Sequence, residues 1–132
     1  MTARHAMLEM PQIKDTRGQL TFAQGPHLPF PVRRLFVLYD LTPGAARGGH
    51  AHKAQHQLLF MMSGAAQVMI DNGHSRESVL LDRPNQSLYA PPMLWLELSE
   101  FTSGAVCAVL ASDVYDEGDY IRDHALFLKL VG

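Results

Sequence analysis

Short apolar or alternating runs recur along this chain about every 8–12 residues, each stopped by glycine, proline or Asx-type turn residues. That rhythm suits a β-sandwich or barrel and excludes a helical bundle or a parallel α/β sheet. The runs fall at residues 20–23, 32–40, 56–62, 65–70, 75–81, 87–90, 94–98 and 105–111. Asp71-Asn72-Gly73 separates two of them, and Asn-Gly supplies the positive φ that a tight turn needs, so 65–70 and 75–81 read as hairpin arms. Only residues 119–130 read as helical, with Ile121, Ala125 and Leu128 on one apolar stripe. The expected fold is all-β with a short C-terminal helix, in one domain spanning residues 1–132.

Composition narrows the function classes. A chain of 132 residues can bury roughly two-thirds of its unfolded surface and needs no disulfide or metal to hold a core. Its 47% apolar and 18% charged residues fit a globule. Eleven Lys and Arg against thirteen Asp and Glu give a net charge of -2 with no block of one sign, so nucleic-acid binding is not expected. No apolar run reaches the ~18 residues of a membrane span, and residues 1–10 carry Arg4, His5 and Glu9 in place of a signal-peptide core. A cytoplasmic protein is the expectation. The lone Cys107, between Val106 and Ala108, reads as a buried thiol, and Met61, Met62 and Met69 as core filling.

Chemistry concentrates in Gly44-Ala45-Ala46-Arg47-Gly48-Gly49-His50-Ala51-His52-Lys53. Residues two apart on a strand share a face about 6.6–6.8 Å apart, so His50 and His52 aim two imidazoles into one space. The spacing Gly44, His50, His52, Gln57, Gly64 resembles the first motif of the cupin superfamily, where two His and a Glu bind a metal. A second cupin motif places a His shortly after a Pro, and here Leu96 follows Pro91-Pro92 instead. Transition-metal sites draw at least three protein ligands. Gln57 is a weak neutral ligand and Leu96 is none. On a continuing strand His56 shares the face of His52 but lies about 13 Å further on at about 3.3 Å per residue. The expectation is therefore a metal-free pocket with two free imidazoles; a metal-dependent cupin using His50, His52 and His56 is the alternative.

Histidine exchanges protons near neutral pH, so two free imidazoles in one pocket can act as a carbon base and as a shuttle at neighbouring oxygens. Tyr39, at the end of the preceding run, is a candidate acid or oxyanion donor. Arg47 is a candidate clamp for a phosphate or an enediolate oxygen, through its forked guanidinium.

Arg34-Leu-Phe-Val-Leu-Tyr-Asp40, the Arg47–Lys53 segment, Gln57-Leu58, Asp71-Asn72-Gly73 and the block from Leu110-Ala111-Ser112-Asp113 through Tyr120-Ile121-Arg122 together resemble the WxcM-like sugar 3,4-ketoisomerases. These small cupins act on dTDP-4-keto-6-deoxyglucose, and the resemblance runs from about Asp15 to Leu130. It implies a jelly-roll fold and transposition of a keto group from C4 to C3 through an enediol, without a cofactor. The product normally passes to an aminotransferase for 3-amino-3,6-dideoxyhexose synthesis. It further implies His50, His52 and Tyr39 as catalytic residues, with the roles of the two histidines interchangeable, and Arg47, Lys53 and Arg122 as diphosphate contacts. Arg17, in Asp15-Thr16-Arg17-Gly18, resembles the pattern of members that leave the galacto configuration at C4. A homodimer is expected, with residues 7–23 available for strand exchange between subunits. Two other readings stand beside this one: a nucleotide-sugar binder that has lost its chemistry, and a 3,5-epimerase, for which the sequence offers no evident His-Asp pair.

Overall fold

Alternation along the strands sorts the apolar side chains onto the facing sides of two antiparallel sheets. The structure, a computed structural model, describes residues 2–132. Its strands are β1 (Ala6–Glu9), β2 (Gln12–Asp15), β3 (Gly18–Thr21), β4 (Arg34–Leu38), β5 (Arg47–His52), β6 (Gln57–Ser63), β7 (Ala66–Asp71), β8 (Arg76–Leu81), β9 (Gln86–Ala90), β10 (Trp95–Ser99), β11 (Val106–Ala111) and β12 (Tyr120–Ile121), followed by the helix α1 (His124–Val131). One five-stranded sheet runs β1-β9-β6-β11-β4 and the other β12-β5-β10-β7-β8, while β2 and β3 pair only with each other.

Leu59, Met61, Leu88, Cys107 and Val109 from the first sheet meet Val68, Ile70, Leu81, Leu96 and Leu98 from the second. Each such fully buried aliphatic side chain contributes about 1.5–3 kcal/mol relative to exposure. Cys107 is buried as expected, and that burial pushes its thiol up to about 12. Met61 fills the core, but Met62, its neighbour on the opposite face of β6, is exposed. No helix among the described residues is long and apolar enough to cross a membrane.

The all-β class with a C-terminal helix is as the punctuation predicts; the helix boundary is not. Residues 117–119 form a 3-10 turn, and Tyr120 and Ile121 pair with His52 and Ala51, so sheet pairing overrides the helical spacing there. The helix begins at His124, capped by Asp123, whose carboxylate accepts from the Ala125 N–H at 2.9 Å. Its buried residue is Phe127, packed on Trp95, and Leu128 is largely exposed. Buried Asp71 fastens this helix by accepting from His124 Nε2 at 2.8 Å. Burial alone would raise the Asp71 carboxyl, but His124, the Gly73 N–H and Arg76 hold it below its usual range.

One irregularity sets up the site. On β10, Leu96 faces His50 but Glu97 faces Gly48, so Gly49 is an extra residue on β5 and the register shifts between Leu96 and Glu97. Such bulges re-aim the side chains that follow them, and here His50 follows. Gly48 and Gly49 take the left-handed φ values of 88° and 72°. A Cβ on Gly48 would lie 2.7 Å from the Leu96 backbone carbonyl oxygen, which cannot swing aside, whereas one on Gly104, also at positive φ, would meet open space. Gly48→Ala is therefore expected to cost about 1–3 kcal/mol, clearly more than Gly104→Ala, as read by thermal melting; equal melting temperatures for the two variants would contradict this.

Candidate active site

Where the two sheets part, they enclose a cavity of about 360 Å³. Phe36, Leu38, Leu59, Leu96, Leu98 and Val109 give it apolar walls. The polar groups Arg47, His50, Gln57, Tyr120 and Arg122 complete its lining, the apolar-with-few-polar composition of a small-molecule site.

Three rings form the centre. The imidazoles of His50 and His52 are perpendicular with centroids 5.1 Å apart, and Tyr120 lies 4.9 Å from the first and 4.3 Å from the second. His52 is 5% exposed and sits behind the cavity wall. Its Nδ1 is 2.9 Å from Asp119 Oδ2. A carboxylate only accepts, so Nδ1 carries the proton and Nε2 is left as an acceptor, facing the side-chain amides of Gln55 and Gln57 at 3.5 and 3.4 Å. Asp119 also accepts from the N–H groups of Ala54 at 2.7 Å and Gln55 at 3.3 Å. Burial lowers the His52 pKa, partly opposed by Asp119.

His50 lines the cavity directly, and among the described residues its buried Nδ1 has no well-formed hydrogen bond, only a weak approach to the Gly48 backbone. Burial, reinforced by neighbouring His52, lowers its pKa to about 4, so at neutral pH the ring is an uncharged base. At the cavity edge, Arg122 stacks over Tyr120 at 4.3 Å and forms a two-pronged ion pair with Glu117 at 2.8 and 2.9 Å.

Of the residues read from the sequence, the structure brings His50, His52, Arg47 and Arg122 together. It does not bring Tyr39, Lys53 or Arg17 to this cavity. Along β4, Phe36 and Leu38 face inward, so Tyr39 falls on the outer side, 65% exposed, in a neighbouring shallow groove with Arg47. The ring beside the imidazoles is Tyr120. The Lys53 side chain is exposed, and its backbone N–H donates to the Asp119 carbonyl at 2.9 Å. Arg17 sits at the tip of the β2–β3 hairpin, bonded to Asp15 at 2.7 Å.

The chain also bends after His52 instead of continuing as a strand. That bend returns Gln57 to the side of His52 and carries His56 to Tyr89, whose hydroxyl is 2.7 Å from His56 Nδ1. Asp119 supplies the His-Asp pair that spacing did not reveal. Strand β12 delivers it from 67 residues away, and only the strand pairing could have signalled it.

The donor set does not fit a cupin metal. Both nitrogens of His52 face protein partners, Gln57 offers an amide, and Leu96 stands opposite His50. Among the described residues no group of three or more His, Cys, Asp or Glu is arranged to hold an ion.

Comparison with known proteins places this geometry. Residues 3–132 match the family described as FdtA, WxcM-like, C-terminal. The chain is 36% identical over 126 residues, 95% of its length and 91% of the relative's, to a TDP-4-oxo-6-deoxy-alpha-D-glucose-3,4-oxoisomerase of Aneurinibacillus thermoaerophilus. It superposes on the crystal structure of a 3,4-ketoisomerase from Helicobacter canadensis with a TM-score of 0.92 at 38% identity, covering 96% of each chain. It superposes equally well on QdtA, a sugar 3,4-ketoisomerase from Thermoanaerobacterium thermosaccharolyticum crystallised with TDP: TM-score 0.93, 32% identity, 96% of this chain and 93% of that one. The chain belongs to the WxcM-like family of cupin-fold sugar 3,4-ketoisomerases.

Proposed function

We propose that this chain, as one cupin domain, converts TDP-4-keto-6-deoxyglucose to its 3-keto isomer without a metal or other cofactor. The observation that carries the reading is the His50 imidazole on the wall of a cavity with an apolar side, backed by Tyr120 and the Asp119-held His52. The carbonyl at C4 acidifies the C3 hydrogen. His50 removes it, the electron pair forms the C3–C4 double bond, and the C4 oxygen becomes an enediolate oxygen. Proton return at C4 and loss of the O3 proton leave the carbonyl on C3. Tyr120, touching both imidazoles, and His52 serve the two oxygens; Tyr120 thus takes the part expected of Tyr39. Asp119 acts through His52 as a positioning residue, fixing its tautomer.

Arg47 and Arg122 are assigned to the diphosphate, and the apolar walls suit the 6-methyl group. Lys53, beside the site, adds positive charge to its approach. Arg17 supports the galacto configuration at C4, and a 3-amino-3,6-dideoxyhexose route is the expected use of the product. The His52–Asp119 pair also favours a second reading, 3,5-epimerisation, which would exchange hydrogen at both C3 and C5 and leave the carbonyl on C4.

A homodimer is part of the proposal. The outer face of edge strand β4 exposes Leu35 and Val37. Ile13 and Leu20, directly opposite each other on the β2–β3 hairpin, are 57% and 55% exposed. An isolated two-stranded hairpin is marginally stable in water, so a second copy of this chain is the partner these surfaces fit. Strand β1 pairs with β9 of its own chain, leaving the hairpin as the segment for a partner to cover. Arg17 rides on that hairpin, and its substrate contact is assigned to the assembled dimer.

His50→Asn is expected to lower kcat by about 10²–10⁴-fold with the melting transition retained. Asp119→Asn should lower it by roughly 10–100-fold, the worth of one charged hydrogen bond. Full activity in the His50 variant overturns the assignment. Because His50 loses its proton near pH 4 and not 6.5, the acid limb of kcat/KM should fall well below pH 6 in assays brief enough to return to full activity at pH 7. The unfolded chain takes up that proton first, so stability should drop as pH falls from about 6.5 towards 4. A kcat/KM limb centred at pH 6.5, or stability unchanged between pH 6.5 and 4, would contradict the half-buried, uncharged base. Sedimentation should report a dimer at micromolar concentration, weakened by Val37→Glu; a wild-type monomer would contradict the interface.

A further inference from the structure

The cavity has two cations in its lining, Arg47 and Arg122, and Arg122 is not waiting for a ligand. Its Nε and Nη2 donate to the two carboxylate oxygens of Glu117 at 2.8 and 2.9 Å. Tyr115 donates its hydroxyl to the same carboxylate at 2.6 Å. That geometry, a planar anion gripped through two parallel N–H···O bonds, is the one a guanidinium offers a phosphate. Both side chains are about half exposed, so the pair is held by geometry in water and not by burial, and such pairs exchange partners at low cost. Arg122 is also restrained from below by the Tyr120 ring, which in turn touches His50 and His52. An anion that takes the place of Glu117 is therefore held at the cavity edge by a guanidinium that stacks on Tyr120.

We propose that Glu117 is a resident mimic of the substrate's phosphate: its carboxylate occupies the Arg122 fork in the empty enzyme and is displaced when a nucleoside diphosphate binds. The inference rests on the assignment of Arg122 to the diphosphate. It makes Glu117 a determinant of affinity that acts by competition. The carboxylate keeps the guanidinium pre-aimed and stacked on Tyr120 while weakening the grip on any diphosphate, product included. Release of a tightly charged product is often what limits turnover, and a carboxylate ready to retake the fork favours it. The alternative role for such a pair is support: Glu117 would hold Arg122 in place to receive phosphate as an additional partner, and removing it would loosen binding.

Calorimetric titration with TDP and with thymidine separates these cases. Glu117→Gln, which keeps the shape and removes the charge, should tighten TDP binding about five- to tenfold and leave thymidine binding unchanged. Arg122→Gln should weaken TDP binding, and adding Glu117→Gln to it should have no further effect. TDP binding that is unchanged or weaker in Glu117→Gln overturns the competition, as does an equal gain for thymidine. If Arg122→Gln binds TDP as the wild type does, the assignment of Arg122 to the diphosphate has failed, and the inference falls with it.

Discussion

One carboxylate holds the site in register. Asp119 accepts from the His52 ring, from the N–H of Ala54 and from that of Gln55, and its own carbonyl takes the N–H of Lys53. These bonds close the bend after β5 and pin the short strand β12 against it, so that the residue after Asp119, Tyr120, lies against both imidazoles. The same bonds fix which nitrogen of His52 carries the proton. Remove the carboxylate and the bend, the tautomer and the tyrosine lose their common anchor. A hydrogen-bonded carboxylate shielded from water is worth more than its exposed counterpart, and Asp119 is only 14% exposed.

Burial does the remaining electrostatic work. Apolar walls and a close neighbouring ring make a charged His50 unfavourable, so the protein keeps a neutral base where an exposed histidine would be partly protonated. The lowered pKa keeps the imidazole free to accept a proton at neutral pH, at some cost in basicity. The charged groups needed for a diphosphate stand at the edge instead, where Arg47 and Arg122 remain in contact with water. The cavity thus divides the labour between a dry centre and a wet rim.

Much of this was legible in the amino-acid order, and the limits are physical. Turn residues and alternation locate β4, β6 through β11 and the end of β3, and the two-residue spacing of His50 and His52 survives because both lie on β5. Local pattern misleads where long-range pairing decides: Ile121 fits a helical stripe but is drawn into β12 by Ala51. Tyr39 ends an apolar run beside the histidine segment, yet strand parity turns it outward and leaves Leu38 facing in. Spacing alone puts His56 on a straight extension of β5, and the bend at Lys53–Ala54 removes it to the company of Tyr89. β2 has one apolar residue in four, and β1, though mostly apolar, is four residues long without a turn signal before it and exists because β9 offers it an edge.

The central claim is that an unligated imidazole takes the hydrogen from one carbon of a keto-hexose and that a solvent-exchanged proton returns to the next. Its most direct test is NMR of the product formed from TDP-4-keto-6-deoxyglucose by chelator-treated protein in deuterated water. The account predicts a 3-keto product carrying deuterium at C4 and none at C5, with ring couplings that report the galacto configuration. Deuterium at C5, or no conversion until a metal is restored, would contradict it.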